Sequence, residues 1–319
     1  MVRQILAALE HCTGLIQNWK LTEIKLRMMD RRVRLSNGVI SPQIFLGTFR
    51  IKTESEVRTA VETAVSLGYR GLDTASVYKN HSKIARTLTE VLPRLGLTRA
   101  DIFLTSKLAP VDQGTERCRA AVSQILSDLN TDYLDLFLIH WPGVQNVDVQ
   151  SPVNSKLRLE SWRVLEEYYQ QGKFRSIGVS NYTAGHLTEL LASCSVVPHV
   201  LQTELHPHYQ QQALVQLCHH HNIHVQAYSS LGQQGAASPL FRSPVVRDIA
   251  ETLNRSPAQI LLQWALTQGY SIMPKSVHQE RIKENFELNF SLSDNQMSML
   301  NSLEKDVCEK YAWDPTSVV

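Results

Sequence analysis

The sequence predicts an α/β protein built on a closed (β/α)8 barrel, or TIM barrel, with an N-terminal β-hairpin and additional helices. Two observations carry this prediction. Short apolar runs alternate with segments of helical periodicity, and eight such pairs follow residue 43. Eight βα units within about 280 residues favour a closed barrel over an open doubly wound sheet.

The hairpin is predicted from residues 33–40, which read VRLSNGVI. Asn37-Gly38 between apolar arms is a strong hairpin signal, because both central residues of a type I′ turn need a positive φ. The arms are short. We therefore expect the hairpin to close the bottom of the barrel.

The barrel strands are predicted at eight short apolar runs. These are residues 44–46, 69–72, 102–105, 134–139, 174–179, 200–201, 223–227 and 271–273. The run LDLFLI at 134–139 is typical of a strand covered on both faces. Helical periodicity fills the intervals, and the first helix begins with a capping-box pattern at Thr53 and Glu56.

Composition excludes several classes of protein. The chain has 319 residues, 43% hydrophobic and 19% charged, with a formal net charge of +2. This charge is too small to predict a nucleic-acid or membrane partner, and charges interrupt every apolar run before the ~20 residues of a membrane span. The five cysteines are scattered without a C-x-x-C pair, which favours a reducing compartment and predicts a cytoplasmic protein.

Residues 1–32 are predicted to form a helical extension, with the barrel domain at residues 33–319. An organelle presequence is the alternative for the extension, and its acidic residues count against it. The chain contains no linker composition between the predicted strands. Loops at 142–157 and 233–242 are expected to decide substrate preference.

Polar side chains follow the predicted strands, where barrel enzymes carry their active sites. The strand ends supply Gly47-Thr48-Phe49, Asp73 with Tyr78, Lys107, His140-Trp141, Ser180-Asn181, Gln202, Tyr228-Ser229 and Lys275-Ser276. Asp73, Tyr78, Lys107 and His140 are titratable and come from neighbouring strands. On the stretch 68–78 alone, a capping Asp73 and a half-buried Tyr78 would be the simpler interpretation.

Together, these four side chains suit protonation of an oxygen that gains negative charge, as in hydride addition to a carbonyl. A lysine ammonium beside a phenol is expected to push it towards ionisation. Asp73 is expected to hold Lys107 charged and in place. His140 is expected to donate a hydrogen bond to a carbonyl oxygen next to Tyr78.

The chain resembles the aldo-keto reductases from about residue 33 to its end. The motifs that carry the resemblance are RLSNGVISP, LGTF, GYRGLDTASVY, TSKL, LIHWP, GVSNY, QTELHP, AYSSLG and MPKSVHQERIKEN. The resemblance implies a catalytic tetrad of Asp73, Tyr78, Lys107 and His140, with Tyr78 as the general acid. It implies NADPH-dependent reduction of aldehydes and ketones, of the aldose reductase or prostaglandin F synthase type, by a monomer.

The resemblance also implies an extended NADPH across the barrel mouth. The positions implied to bind it are Gly47, Thr48, Ser180, Asn181, Gln202, Tyr228, Ser229, Leu231, Gly232, Lys275, Ser276, Val277, Arg281, Glu284 and Asn285. Lys275 and Arg281 offer two cations near a hydroxyl, which suits a 2′-phosphate and favours NADP over NAD. The sequence holds no G-x-G-x-x-G, so a Rossmann cofactor site has no support.

Departures from the family pattern lie beside the predicted acid. Lys79 and His81 stand where the family usually has glycine and glutamate, and Ser230 replaces a common proline. Phe49, Trp141 and Trp313 are implied to form the apolar walls of an open pocket for a small carbonyl substrate.

Three other interpretations of these residues are possible. A barrel that binds NADPH as a regulatory or structural subunit is the main rival, and a hydrolytic barrel using His140 and Asp73 is weaker. The histidines at 206–224 lack the carboxylate spacing of a zinc site, so no metal is expected. Glu204 is expected to be a buried structural carboxylate.

Overall fold

The computed structural model describes residues 31–232 and 238–319. The predicted helical extension therefore lies outside the described residues up to residue 30, as does the loop at 233–237. Strand β1 begins at Arg32, one residue before the predicted start of the barrel domain.

The hairpin consists of β1 (Arg32–Arg34) paired antiparallel with β2 (Ile40–Pro42). Its turn differs from the expected type I′ turn. The Gly38 amide donates to the Leu35 carbonyl at 2.9 Å, and Gly38 is the turn residue with a positive φ, at 87°. This is a type I turn followed by a left-handed glycine, because the five-residue connection supplies the strand twist with a single positive φ.

The barrel strands run in chain order around one sheet. They are β3 (Phe45–Gly47), β4 (Gly71–Asp73), β5 (Phe103–Leu108), β6 (Leu136–Ile139), β7 (Ile177–Ser180), β8 (Val200–Glu204), β9 (His224–Tyr228) and β10 (Ser271–Ile272). Each consecutive pair is parallel. A parallel bridge between Ile44 and Ile272 joins the two edges. The eight-stranded (β/α)8 barrel is confirmed.

Helices surround the strands. They are α1 (Glu54–Leu67), α2 (His81–Arg94), α3 (Thr115–Asp128), α4 (Val153–Gln170), α5 (Ala184–Leu191), α6 (Gln212–His220), α7 (Pro239–Arg242), α8 (Pro244–Thr252), α9 (Pro257–Thr267), α10 (Gln279–Phe286) and α11 (Asp294–Asp306). The Thr53–Glu56 capping box forms as predicted. Across residues 31–232 and 238–319, no helix combines the length and apolar character needed to cross a membrane.

Glycines allow the closest approaches inside the barrel. A Cβ on Gly178 would lie 2.2 Å from the Val200 carbonyl oxygen on the neighbouring strand. A Cβ on Gly47 would lie 2.5 Å from the Met273 carbonyl oxygen, where the two edges of the barrel meet. Gly47 is therefore required for closure of the sheet, whatever else it contacts.

Candidate active site

Asp73 and Lys107 form an ion pair at the carboxyl ends of β4 and β5. Lys107 Nζ lies 2.6 Å from Asp73 Oδ1 and donates a second hydrogen bond to the Thr74 carbonyl at 3.0 Å. Parallel pairing of the two strands brings the residues side by side, with Asp73 opposite Thr105. Both side chains are buried, so the pair is shielded from solvent.

Gln202 reaches the same carboxylate from the far side of the barrel. Its Nε2 donates to Asp73 Oδ2 at 2.9 Å and to Gln226 Oε1 at 3.0 Å. Asp73 thus accepts from a cation on one oxygen and from an amide on the other. These two hydrogen bonds fix the orientation of the Asp73 carboxylate. On the Gln202 side chain, Oε1 remains an unused acceptor.

Tyr78 ends a 3-10 turn, Ser76–Tyr78, directly after β4. Its ring centroid lies 5.3 Å from Lys107 Nζ and 5.7 Å from the His140 ring, in an edge-to-face arrangement. Tyr78 is half-buried, so part of the ring faces the barrel mouth. The structure therefore brings all four residues of the predicted tetrad together.

Burial governs the protonation of these groups. It raises the pKa of Tyr78 well above its usual value, and the negative charge of Asp73 adds to the effect. The expectation that Lys107 pushes the phenol towards ionisation is wrong for this state. Burial is the main reason for the raised pKa, and Asp73 beside Lys107 means that Tyr78 meets an ion pair rather than a free cation. Tyr78 consequently holds its proton at neutral pH.

His140 and Lys107 are also shifted by burial. Burial lowers the pKa of His140 to about 3, with a smaller contribution from the Lys107 charge. Burial lowers the pKa of Lys107, and the Asp73 charge opposes that shift. His140 is therefore a neutral imidazole at neutral pH, able to donate one hydrogen bond.

Aromatic side chains surround the mouth above Tyr78. The Phe49 ring lies 5.2 Å from the Tyr78 ring, and the Trp141 ring lies 6.1 Å from the Trp313 ring. Phe49 is 52% exposed and Trp313 is 81% exposed, which is unusual for large apolar side chains. Exposed aromatic rings at the rim of a polar site are typical of ligand pockets.

A buried carboxylate fixes the segment that carries Trp313. Glu204, at the end of β8, accepts hydrogen bonds from Lys310 Nζ at 2.5 Å, from Tyr311 N at 2.5 Å and from Ala312 N at 3.0 Å. His206 Nε2 lies 3.1 Å from the same carboxylate. Although burial opposes ionisation, these hydrogen bonds together lower the pKa of Glu204 to about 2. Glu204 is a structural carboxylate, as its position predicted.

The comparison with protein families identifies the barrel. The Aldo/keto reductase family matches residues 43–305. The chain belongs to the aldo/keto reductase family. This membership agrees with the eight-stranded barrel and with the strand ends at which the four titratable side chains meet.

Relatives of this aldo/keto reductase include named reductases. It is 38% identical over 275 residues to a 9,11-endoperoxide prostaglandin H2 reductase of Trypanosoma cruzi, covering 86% of this chain and 92% of the relative. It is also 38% identical over 275 residues to a glyoxal reductase of Bacillus subtilis, covering 86% and 93%. The chain is thus an oxidoreductase enzyme of a family whose named relatives support carbonyl reduction.

A solved structure of the family contains a cofactor. The Bombyx mori aldo-keto reductase in complex with NADP matches with a TM-score of 0.77 and 32% identity, covering 85% of this chain and 92% of that one.

At the positions predicted to hold the nicotinamide, the polar side chains form one connected group. The Tyr228 hydroxyl donates to Asn181 Oδ1 at 2.6 Å, and Asn181 Nδ2 donates to the His140 carbonyl at 2.9 Å and to Ser180 Oγ at 3.1 Å. Asn181 adopts a left-handed φ of 63°. These bonds tie the predicted cofactor residues to His140. They fit a carboxamide, whose N–H groups need acceptors such as Gln202 Oε1.

Two cations lie at the positions predicted to hold the adenosine. Lys275 and Arg281 are exposed, and across the described ranges neither forms an ion pair. Ser276 is buried, with its hydroxyl accepting from the His278 amide at 3.1 Å. Two unpaired cations close to a helix N-terminus suit a phosphate group. The other residues predicted here are Val277 and Glu284, both half-buried, and Asn285, which is buried.

The remaining predicted cofactor positions also make contacts within the protein or adopt special backbone conformations. Thr48 Oγ1 donates to the Asp73 carbonyl at 2.9 Å. Ser229 has a left-handed φ of 51° at the end of β9, and Leu231 accepts from Ser238 Oγ at 3.0 Å. A Cβ on Gly232 would lie 2.6 Å from Ser238 Oγ. Cofactor contact by these residues and by Gly47 stays a prediction.

Three of the histidines between 206 and 224, namely His206, His208 and His224, have polar side-chain partners. His208 Nδ1 lies 2.8 Å from the Tyr311 hydroxyl, and His224 Nε2 lies 2.8 Å from Ser271 Oγ. Within residues 31–232 and 238–319, no three metal-ligating side chains converge. These contacts give His208 and His224 a structural role.

Sequence reasoning missed two residues that build the site. Asn80 donates to the Thr48 and Ile51 carbonyls, both at 3.1 Å, and accepts from Thr74 Oγ1 at 2.7 Å. It thereby fastens the loop after β4 to the loop after β3. Gln226 holds Gln202 from the next strand. The period-two alternation that places Gln202 inside the barrel also places Gln226 there, and that signal was available.

Proposed function

We propose that this aldo/keto reductase reduces aldehydes and ketones to alcohols with NADPH as the hydride donor and Tyr78 as the general acid. The observation that carries the proposal is the meeting of Tyr78, His140 and the Asp73–Lys107 pair at one barrel mouth. Each residue supplies something the reaction needs. The substrate class is a small carbonyl compound that fits between Phe49, Trp141 and Trp313.

The chain's own residues prepare the carbonyl for addition. When bound, the reduced nicotinamide supplies the hydride that the carbonyl carbon accepts. Neutral His140 donates a hydrogen bond to the carbonyl oxygen and orients it towards Tyr78. Tyr78 holds its proton because burial raises its pKa, so the proton is available for transfer as the oxygen gains charge.

The Asp73–Lys107 pair acts on Tyr78 after proton transfer begins. Developing negative charge on the phenol oxygen is stabilised by the Lys107 ammonium, whose Nζ lies 5.3 Å from the ring centroid. Gln202 prevents Asp73 from turning away from Lys107. The pair therefore matters more in the transition state than in the resting enzyme.

The cofactor is proposed to be NADPH rather than NADH. Lys275 and Arg281 would hold the 2′-phosphate, with Ser276, Val277, Glu284 and Asn285 around the adenosine. Ser180, Asn181 and Gln202 would hold the carboxamide, and Tyr228 would stack on the nicotinamide. Gly47, Thr48, Ser229, Leu231 and Gly232 would line the cofactor path. The unpaired state of both cations supports this assignment.

We further propose that the enzyme works as a monomer in the cytoplasm, from one barrel domain at residues 33–319. Four free thiols among the described residues, at Cys118, Cys194, Cys218 and Cys308, support a reducing compartment. Size-exclusion chromatography with light scattering tests the monomer, and a mass near twice 36.1 kDa would overturn it.

The function is tested by NADPH oxidation across a panel of aldehydes and ketones. We expect turnover with several small aldehydes and a kcat/KM with NADPH at least about tenfold above that with NADH. Lys275→Ala/Arg281→Ala should remove most of this cofactor preference, whereas Lys305→Ala/Arg163→Ala at exposed sites should keep it. Saturable NADPH binding without turnover on any carbonyl would favour the regulatory subunit instead.

A further inference from the structure

A cavity of about 690 Å³ lies between α2 and α3, outside the barrel mouth. We call it the α2–α3 cavity. Its walls come largely from the start of α2 and from one face of α3, and the residues that line it include Lys79, His81, Lys83, Arg117, Asp112 and Asp128. None of these residues belongs to the proposed cofactor or substrate positions.

Cations without ion-pair partners face this cavity. In the part of the chain that the structure describes, Lys79, Lys83 and Arg117 form no ion pair with a carboxylate. The cavity's other cation, Arg86, is held by Glu54 at 2.6 Å. Unpaired cations collected around one cavity favour an anionic ligand.

The N-terminus of α2 also has free donors. Asn80 precedes the helix, but its side chain bonds the Thr48 and Ile51 carbonyls and caps nothing. The amides of His81, Ser82 and Lys83 therefore have no acceptor within the described residues. Free N–H groups at a helix N-terminus bind anions, since the helix dipole is positive at that end.

His81 provides a second observation that points to a ligand site. Its side chain lines the cavity and is only 5% exposed. Nε2 lies 3.0 Å from Ser106 Oγ, while Nδ1 has no partner within the described residues. Burial lowers the pKa of His81 to about 4, so the ring is neutral. In the tautomer whose Nε2 accepts from Ser106 Oγ, Nδ1–H donates into the cavity.

We propose that the α2–α3 cavity binds the phosphate group of a small hydroxylated molecule. The free α2 amides and His81 Nδ1–H donate to the phosphate oxygens, and Lys83 and Arg117 neutralise its charge. Asp112 and Asp128 accept from hydroxyl groups of the same ligand. The volume exceeds what a single phosphate fills, which is why a larger ester is assigned. This site is independent of the proposed carbonyl reduction.

Calorimetric titration with glycerol 3-phosphate tests the site, using the full chain saturated with NADP+ so that cofactor phosphate positions are filled. We expect saturable binding that Lys83→Glu/Arg117→Glu weakens by about tenfold or more. The matched control Lys305→Glu/Arg163→Glu makes the same charge change at exposed sites and should stay within about twofold. Glycerol alone should not bind.

Imidazole NMR of the same titration supplies a local readout. The His81 Nδ1 resonance should shift, and that of exposed His220 should not. If the charge-reversed variant does not fold, Lys83→Gln/Arg117→Gln replaces it. Any one of three results would contradict the proposed site. These are no saturable binding, equal weakening in the control variant, or a His81 Nδ1 resonance that does not shift. Neither measurement depends on carbonyl turnover. A failure of the proposed reductase function would therefore appear only in the NADPH oxidation assay.

Discussion

Lys107 Nζ and Asp73 Oδ1 lie 2.6 Å apart, with the Lys107 side chain fully buried and Asp73 almost so. Few proteins keep a lysine ammonium in such a place without a reason, because removing both charges from water costs several kcal/mol per ion. The pair is held by partners on three sides, namely Thr74, Gln202 and the strand pairing of β4 with β5. This cost is consistent with a pair kept for chemistry rather than for stability.

Removing one partner of this pair should lower the free energy of unfolding strongly. Removing both partners should lower it much less. Lys107→Met leaves the Asp73 carboxylate buried without its cation, and we expect a loss of roughly 3 to 5 kcal/mol in the free energy of unfolding. Asp73→Asn should cost a similar amount. The double variant should lose less than the sum of the two, as measured by urea unfolding.

The exposed pair Arg86–Glu54 is the control, with both side chains more than half exposed. Its double-mutant cycle should give a coupling below about 1 kcal/mol. Additive losses in the buried pair, or an equal coupling in both pairs, would contradict the account of Asp73 and Lys107.

The clamp on the C-terminal segment predicts an effect on substrate binding. Glu204→Gln removes the charge that holds Lys310, Tyr311 and Ala312, and weakens the attachment by about 2 kcal/mol. Cleavage of the segment by a protease should then become about 30-fold faster. KM for aromatic aldehydes should rise more than kcat falls, since Trp313 loses its fixed position.

Glu251→Gln, at an exposed position of α8, is the matched control and should leave proteolysis and KM unchanged. An unchanged cleavage rate in Glu204→Gln would show that the segment is held by other contacts. Those contacts would include the Val319 amide on the Val149 carbonyl.

Buried His81 predicts acid sensitivity. Its folded pKa of about 4 lies below the usual 6.5, so the unfolded chain binds the proton first as pH falls. Stability attributable to His81 is complete above pH 6.5 and is lost between pH 6.5 and 4, by at most about 3 kcal/mol. His81→Gln should flatten this slope in unfolding measurements, whereas His220→Gln at an exposed site should not. A parallel slope in both variants would contradict it.

Close strand packing predicts that replacing two different glycines by alanine will cause very different losses of stability. Gly178→Ala places a Cβ 2.2 Å from the Val200 carbonyl oxygen, and we expect a loss of about 3 kcal/mol or more, or failure to fold. Gly172 has a φ of 72° and open space around its Cβ position, so Gly172→Ala should cost about 1 kcal/mol. Thermal unfolding of both variants gives the comparison. Equal losses would contradict the packing account.

The strand ends were predictable because alternation and polarity mark them directly. Asp73, Lys107, His140 and Gln202 all lie at or next to the strand ends that the apolar runs predicted. The bounds differ by one to three residues, since pairing with neighbours decides where a strand begins. Strand β5, for example, continues to Leu108 instead of ending at Thr105.

What the sequence could not supply was how charges combine in three dimensions. Lys107 was expected to lower the pKa of Tyr78, but its charge is balanced by Asp73. The clamp between Glu204 and Lys310 joins residues 106 positions apart, and no local pattern links them. The turn at Gly38 depended on strand length as well as on Asn37-Gly38.

The central claim is that Tyr78 donates the proton. NADPH oxidation with a good aldehyde substrate should fall by about a hundredfold or more in kcat for Tyr78→Phe, because general acid catalysis contributes about 10² to 10⁴ in rate. NADPH affinity should be unchanged. Tyr133→Phe, which removes a buried hydroxyl that has no partner among the described residues, should keep full activity. Equal rates for wild type and Tyr78→Phe would contradict the account.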